Sequence, residues 1–573
     1  MYKQKNNHDN TYNMMFCYQC QEAYKGRGCT ERGGCGKDAL TSNIMDLLIY
    51  TVKGICTLST LMRDNNIGVD NRVNKYVIES LYTTTTNCNY NRENLKNRIS
   101  EGLKLKMELY NICVSYNLAI PPREEILWAS NINDFSTKAS IITPDDNEIH
   151  SEERAMKEFI IYSLKGIAGF MYNAMQLGYN DLGVHTFMQS IISDLTRKGV
   201  SRDEWLDLLT LTGQYSMRTI ALLDKARTEK FGHPEFTTVN LSSKNRAAIL
   251  VSGDNLRDLK ELLEQSVNAG IDVYTHSSMI AAHAYPELRK YEHLRGNFGG
   301  SWSSQREEFP AFHGPILFTG NYIIPPSIEL SYKERMFTTN VAGYPGCKHI
   351  QADHNGRKDF SEIIAMAKEF RAPASLERGC LNIGFAHRTL TDITSQLLSS
   401  YGVGDIRRLV FIVGEDGRSS ARTYYTNLAA MLPKSSILFT AGDVKYRFNK
   451  HRFGYMNGMP RLFDAGQIED TYSLIEFILN LKRTLRVKDI NKLPTSYFVS
   501  WYSQSSLAIL LALLSLGIKG IKLGPTIPPF CTEDMFKVLS KQFALQLITT
   551  AERDSEHIFE NSFEYEQIPD YND

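Results

Sequence analysis

Cys17, Cys20, Cys29 and Cys35 form a C-x2-C-x8-C-x5-C array near the amino terminus, and no comparable cysteine group occurs elsewhere in the chain. Thiolates are soft ligands that suit iron–sulfur clusters and zinc. Gly28, Gly33, Gly34 and Gly36 flank the array and let backbone N–H groups approach the sulfurs. Zinc is the alternative occupant. Structural zinc usually takes two similar C-x2-C knuckles, whereas here the second pair is spaced by five residues among glycines, which favours a cluster. A redox C-x-x-C leaves Cys29 and Cys35 without a role. Cys56, Cys88, Cys113, Cys347, Cys380 and Cys531 stand singly, as expected of small buried apolar residues in a reducing compartment rather than of a disulfide framework.

The elements that must position these residues follow from length and pattern. A chain of 573 residues is too long for one core and divides into about three or four domains. Residues 40 to about 235 carry helical periodicity, as in Glu153 to Met175 and Trp205 to Lys225, and read as helical bundles. Beyond the polar stretch Thr237 to Lys244, short β-rich runs alternate with helices: Ala248 to Ser252, Asp272 to Thr275, Ile316 to Thr319, Leu409 to Val413, Ile437 to Thr440 and Tyr497 to Ser500. The fold class expected is α plus α/β, with helical bundles followed by two doubly wound, Rossmann-like parallel-sheet domains. The divisions are a flexible extension over 1–14, a cysteine and helical-bundle domain over 15–238, and α/β domains over 239–385 and 386–573, the last with a polar tail. Ligands of open α/β sheets collect at the carboxyl ends of strands. A central site is therefore expected between the two sheets, in the loops at Gly253-Asp254, His276 to Ser278, Asn321-Tyr322, Gly414 to Gly417, Gly442-Asp443 and Trp501 to Ser505.

Lys+Arg and Asp+Glu both number 64, so net charge is zero and neither a nucleic-acid stripe nor a polybasic membrane patch is indicated. The first fourteen residues lack the apolar core of a signal peptide. The longest mainly apolar run, Leu507 to Leu516, falls short of the roughly 20 residues a membrane span needs. A cytoplasmic protein is expected.

The cysteine segment resembles the opening of the hybrid cluster proteins, also called prismane proteins or hydroxylamine reductases, which are relatives of nickel carbon monoxide dehydrogenase. The resemblance continues through Asp272-Val273-Tyr274-Thr275-His276, Ala282-His283-Ala284-Tyr285-Pro286, Gly314-Pro315-Ile316-Leu317, Lys445-Tyr446-Arg447-Phe448-Asn449, Ser500-Trp501-Tyr502 and Leu523-Gly524-Pro525-Thr526. It implies one four-iron four-sulfur (4Fe-4S) cluster held by Cys17, Cys20, Cys29 and Cys35. It also implies a second, hybrid cluster of iron, sulfur and oxygen, held in the family by one histidine, two glutamates and four cysteines. Those positions depart from the family pattern here. The histidine falls on Asp254, the first glutamate on Ser278, and the cysteines on Tyr322, the Glu415-Asp416 gap, Asp443 and Ile468. The second glutamate and a neighbouring lysine fall on Ser503 and Ser505.

With no thiolate left in this set, the hybrid cluster is expected to be absent while the fold is retained for another use. The expected role is a redox relay, a scaffold or a subunit partnering a redox protein or a family paralogue, without hydroxylamine reduction. One alternative is a remodelled oxygen-rich pocket in which Asp254, Asp443, Glu415 and Asp416, with His276 or His283, take a harder metal or a polar small molecule. These acids are otherwise expected to be solvated loop residues, and both histidines structural. The other alternative is the hydroxylamine or nitric oxide reduction that whole-chain similarity suggests. Function does not follow from fold where site residues differ.

Overall fold

The computed structural model describes residues 14–142, 151–329 and 331–560, so most of the extension and the end of the polar tail lie outside the described residues. The amino-terminal half is helical: α1 (Ala39–Asp64), α2 (Asn71–Thr83), α3 (Arg92–Ser115), α4 (Glu152–Gln176), α5 (Leu182–Asp194) and α6 (Arg202–Phe231) are its long helices. Their starts are set by side-chain caps. Asp38 accepts from Thr41 N at 2.8 Å, Ser151 from Arg154 N at 3.1 Å and Ser201 from Glu204 N at 3.2 Å. Helix α1 is long and apolar enough to cross a membrane by length and composition, although Thr, Ser and Asn keep it from forming one apolar run. Two thirds of its apolar window is buried against neighbouring helices, as in the core of a bundle.

Two six-stranded parallel sheets follow. The first contains β1 (Ala248–Ser252), β2 (Asp272–His276), β3 (Leu294–Asn297), β4 (Ile316–Phe318), β5 (Met336–Thr339) and β6 (Lys348–Ile350), in the spatial order β3-β2-β1-β4-β5-β6. The second contains β7 (Arg408–Gly414), β8 (Ser436–Ala441), β9 (Leu462–Asp464), β10 (Thr495–Ser500), β11 (Lys522–Gly524) and β12 (Gln546–Leu547), in the order β9-β8-β7-β10-β11-β12. Both repeat one doubly wound pattern, and strand order reverses between β1 and β4 and between β7 and β10. Those reversals are the switch points where such folds open a crevice.

One helix of the carboxyl-terminal half, α7 (Gln504–Ser515), packs into the amino-terminal bundle against α4 and α6. Ser216 on α6 donates to the Ala508 carbonyl at 2.9 Å. Gly166 on α4 lets the chain at Gln504 approach so closely that a Cβ there would lie 2.4 Å from the Gln504 carbonyl oxygen. Gly166→Ala is therefore expected to push α7 off its seat and lower stability by about 1–3 kcal/mol, read as a lower urea midpoint. An unchanged midpoint would show that the seat is loose.

Candidate functional site

The cysteine array is a loop folded back on itself before α1. Cys17 and Cys29 pair through their backbones, N to O at 3.0 and 2.8 Å, bringing the first and third cysteines side by side. Gly34 N donates to Cys29 Sγ at 3.4 Å. A Cβ on Gly34 would lie 2.4 Å from the Glu22 carbonyl, so only glycine brings that amide to the sulfur without moving backbone. Cys20 and Cys29 are buried, and Cys17 and Cys35 are half-buried. Burial, with Cys35 and Cys29 nearby, raises the Cys17 thiol to about 12; burial, with Cys35 and Cys17 nearby, raises Cys20 well above the ordinary thiol value. Four mutually repelling thiolates in such a pocket need bound cationic metal to exist. Among the described residues no three His, Cys, Asp or Glu side chains converge as on a single ion. A cubane does not require convergence, because each thiolate binds its own iron, so donor chemistry, amide cradle and spacing fit a 4Fe-4S cluster.

The loop is bolted to the remainder of the chain. Gln19, between Cys17 and Cys20, accepts from buried Lys165 of α4 at 3.1 Å and from Gln504 Nε2 at 3.1 Å. Gln21 N donates to the Tyr502 carbonyl at 2.9 Å, and Arg418 holds Glu22 and the Gly34 carbonyl. Lys165 and the start of α7 also face the central site.

That site is where the two switch points meet. Asp254 follows β1, Tyr322 follows β4, Glu415 follows β7 and Ser503 follows β10. Asp254, Ser278, Tyr322, Ile468 and Ser505 line one small cavity with Tyr82, Lys165 and Glu469. The cavity measures about 10 Å³, room for about one water molecule. The remaining positions close around it. Glu415 accepts from Ser503 N and Oγ at 3.0 and 2.9 Å, from Ser506 N and Oγ at 3.2 and 2.6 Å, and from the Tyr322 hydroxyl at 3.0 Å. Asp443 accepts from Ser277 and, at 2.8 Å, from Ser278. Asp416 turns away to pair with Arg447 at 2.6 Å.

The acids are thus not solvated loop residues. Glu415, Asp416 and Asp443 are buried, because the two sheets bring their loops face to face and hydrogen bonds take the place of water. Asp254 keeps partial exposure; burial, reinforced by Glu469, raises its carboxyl to about 7 against the hydrogen bonds from Tyr82 at 3.0 and 3.2 Å. Burial likewise raises Asp443 to about 6. Tyr322 stacks on Trp302 with centroids 5.5 Å apart, and Trp302 packs on Tyr502 at 4.6 Å. Its φ of 72° is unusual for an aromatic residue: the loop keeps a left-handed kink while its side chain fills the space.

His283 is buried and lowered to about 4, within 3.0 Å of Thr275 Oγ1; His276 lies 3.0 Å from Ser252 Oγ and 3.2 Å from Glu308. Of the single cysteines, Cys56, Cys88, Cys113 and Cys531 are buried as expected. Cys347 is half-buried and Cys380 exposed, because both lie on short strands or turns that present one side to solvent. The motif Lys445-Tyr446-Arg447 is a clamp: Lys445 binds Asp464 at 2.8 Å, Tyr446 the Ser277 carbonyl at 2.9 Å, and Arg447 both Asp416 and the Gly417 carbonyl. Sequence reasoning missed Lys165, Tyr82, Ser506 and Glu469. Only the Glu469-Asp470 pair carried a signal, as adjacent acids; it is held by buried Arg227.

Asp254 supports a pH test. Its folded value of about 7 stands above the unfolded value of about 3.9. From about pH 4 to about pH 7 the folded chain holds the extra proton, so stability falls as pH rises through that window and the penalty is complete above it. Asp254→Asn is expected to be more stable than the parent by roughly 1–3 kcal/mol at pH 8, with the gap closing toward pH 4. A variant destabilised at pH 8 instead would mean that the carboxylate is used there, as by a bound cation.

The positions that the resemblance assigns to the hybrid cluster contain no thiol, and Tyr322, Ile468 and the Trp302 that stacks on Tyr322 are buried. Comparison with known proteins gives the family. The pattern described as Prismane/CO dehydrogenase family matches residues 15–556. The chain is 43% identical over 544 residues to a hydroxylamine reductase of Porphyromonas gingivalis, covering 94% of this chain and 98% of that protein. It is 44% identical over 551 residues to one of Methanocaldococcus jannaschii, covering 94% and 99%. Among solved structures it is similar to carbon monoxide dehydrogenase IV from Carboxydothermus hydrogenoformans, with a TM-score of 0.54 and 14% identity over 97% of this chain and 94% of that one. A nickel-free carbon monoxide dehydrogenase from Thermococcus sp. AM4 gives 0.55 and 15% over 96% and 90%. At such identity these structures speak for the fold alone.

Proposed function

This chain belongs to the Prismane/CO dehydrogenase family, and from that premise we propose that it is a one-cluster member: an iron–sulfur protein that relays electrons to or from a partner protein and does not reduce hydroxylamine. The observation that carries this reading is the central cavity. Five of the nine positions that depart from the family pattern line a space of about 10 Å³, without a thiol.

When bound, the amino-terminal cluster supplies a reversible one-electron couple. The chain's own residues set its surroundings. The Gly34 amide donates to Cys29 Sγ, and Lys165, whose ammonium is lowered by burial against the pull of Asp46 and Cys17, donates to Gln19 between the first two cysteines. Gln19 and Gln504 lock the loop to α7, so the cluster sits on a rigid floor. Around the former second site, the Lys445-Tyr446-Arg447 clamp holds the loops with no need of a metal, which accounts for the survival of flanking motifs beside altered positions. Ten free cysteines fit a reducing compartment such as the cytoplasm.

The test is iron and acid-labile sulfide per chain in protein purified without oxygen. The reading expects about four of each; about eight irons, or a second cluster signal in Mössbauer spectra, would overturn it.

A further inference from the structure

The even balance of cations and acids over the whole chain hides a local excess at one edge of the second sheet. Its strands are parallel, so the residues that enter them lie together on the edge opposite the central site. Lys434 stands before β8, Arg407 before β7, Lys492 before β10 and Lys519 before β11, in the order in which those strands neighbour one another. At about 4.8 Å per strand the row spans about 15 Å. Hydrogen bonds tie its members together: Arg407 N donates to the Ser435 carbonyl at 2.7 Å, Leu409 N to the Pro494 carbonyl at 2.9 Å, and Lys519 N to Asn491 Oδ1 at 2.8 Å. Arg486 and Lys488 lie on the loop that leads to Lys492, after the helix Thr471–Thr484 has returned to this edge. All six cations are exposed. Among the described residues none of them enters a salt bridge, the ion pairs of this half going to other cations such as Arg447 and Lys522. Two acids, Asp405 and Asp489, sit among them. Hydrogen bonds from Asn491, with Lys519 and Lys492 nearby, hold the Asp489 carboxyl below its ordinary value.

At the Lys434 end the row opens into a cleft of about 640 Å³ lined by Arg407, Lys434, Ser435, Asp405, Tyr455 and Asn457. One wall is a hairpin in which Tyr455 pairs with Pro460, turned at Asn457-Gly458 with φ of 50° and 81°. Arg461 fastens it to the sheet through the Phe453 and Ser436 carbonyls at 3.0 and 3.1 Å. Tyr455 is 70% exposed. Asp405 Oδ2 accepts from Asn457 at 2.9 Å, which leaves Oδ1 for a further donor.

We propose that this edge binds single-stranded RNA, with the cation row tracking successive phosphates, Tyr455 stacking on a base and Asp405 accepting from a ribose 2′-hydroxyl. A basic track beside an aromatic platform is how unpaired strands are held without sequence preference, and the 2′-hydroxyl is the donor that separates RNA from DNA. A lipid surface would leave the cleft unused, and a duplex keeps its bases away from Tyr455. The proposal is independent of the one-cluster reading, since every residue it uses belongs to the second sheet and its loops.

The test is fluorescence anisotropy of the full chain with a labelled oligouridylate of about 12 nucleotides, which forms no internal pairs. Four phosphate contacts give a log–log salt slope of about −3, so affinity is expected to fall roughly 50-fold between about 0.05 M and about 0.2 M salt. The double variant R407E/K434E is expected to lose at least about tenfold at low salt and to flatten that slope by about 1. Tyr455→Ala is expected to lose at least about fivefold with the slope unchanged. The deoxy strand is expected to bind roughly tenfold more weakly than RNA, and Asp405→Ala to close that gap. All three variants change exposed side chains and are expected to keep the parental urea midpoint. Parental affinity in R407E/K434E or in Tyr455→Ala, or equal binding of ribo and deoxy strands by the parent, would overturn the assignment. So would a parent chain that binds phosphatidylserine vesicles and no RNA.

Discussion

Cys20→Ser is expected to leave the chain with almost no iron. Cys20 is 6% exposed, in a loop whose first and third cysteines are already fixed side by side by backbone pairing. A serine hydroxyl there fits sterically but does not ionise at neutral pH, so one iron would lose its soft anionic ligand at a buried position. Iron should fall from about four per chain to well under one, with loss of the visible absorption. The fold should survive, since the substitution leaves Tyr18 and Ala23, the loop's contribution to the core, in place. A replaced chain with full iron and unchanged absorption would show that these four thiols are not the ligand set.

The second large effect is an absence of turnover. Cluster-replete chain supplied with an artificial reductant is expected to reduce hydroxylamine at least about 100-fold more slowly than the Porphyromonas gingivalis relative assayed beside it. Cleaving an N–O bond at a metal needs an open coordination position. On the one-cluster reading four thiolates would saturate the amino-terminal cluster, and the central cavity admits about one water among Asp254, Tyr322 and Ile468. Turnover comparable to the relative's would sink the one-cluster reading and promote the remodelled pocket. Asp254 and Asp443 would then be replaced first, since they are carboxylates with raised pKa that the fold holds at the meeting of the switch points.

What the amino-acid sequence determined by itself was whatever depends on neighbours along the chain. The candidate ligand set is local, four cysteines in one loop, so spacing and flanking glycines were enough to propose it. The same is true of Ala248 to Ser252, a β-rich run found with those bounds, and of the long helices near Glu153 and Trp205, whose periodicity survives without tertiary context. Strands Leu294–Asn297, Met336–Thr339, Lys348–Ile350, Leu462–Asp464, Lys522–Gly524 and Gln546–Leu547 escaped notice. Each has only two to four residues, too few to show a period of two, and exists because a parallel neighbour supplies its hydrogen bonds. The central site belongs wholly to the tertiary level. Asp254, Tyr322, Glu415 and Ser503 are far apart in sequence, and read singly the acids are ordinary polar loop residues. They become a buried, hydrogen-bonded core only because two sheets of identical strand order turn their switch points toward each other. Helix α7 then closes the floor, and that facing excludes water and raises the carboxyls of Asp254 and Asp443.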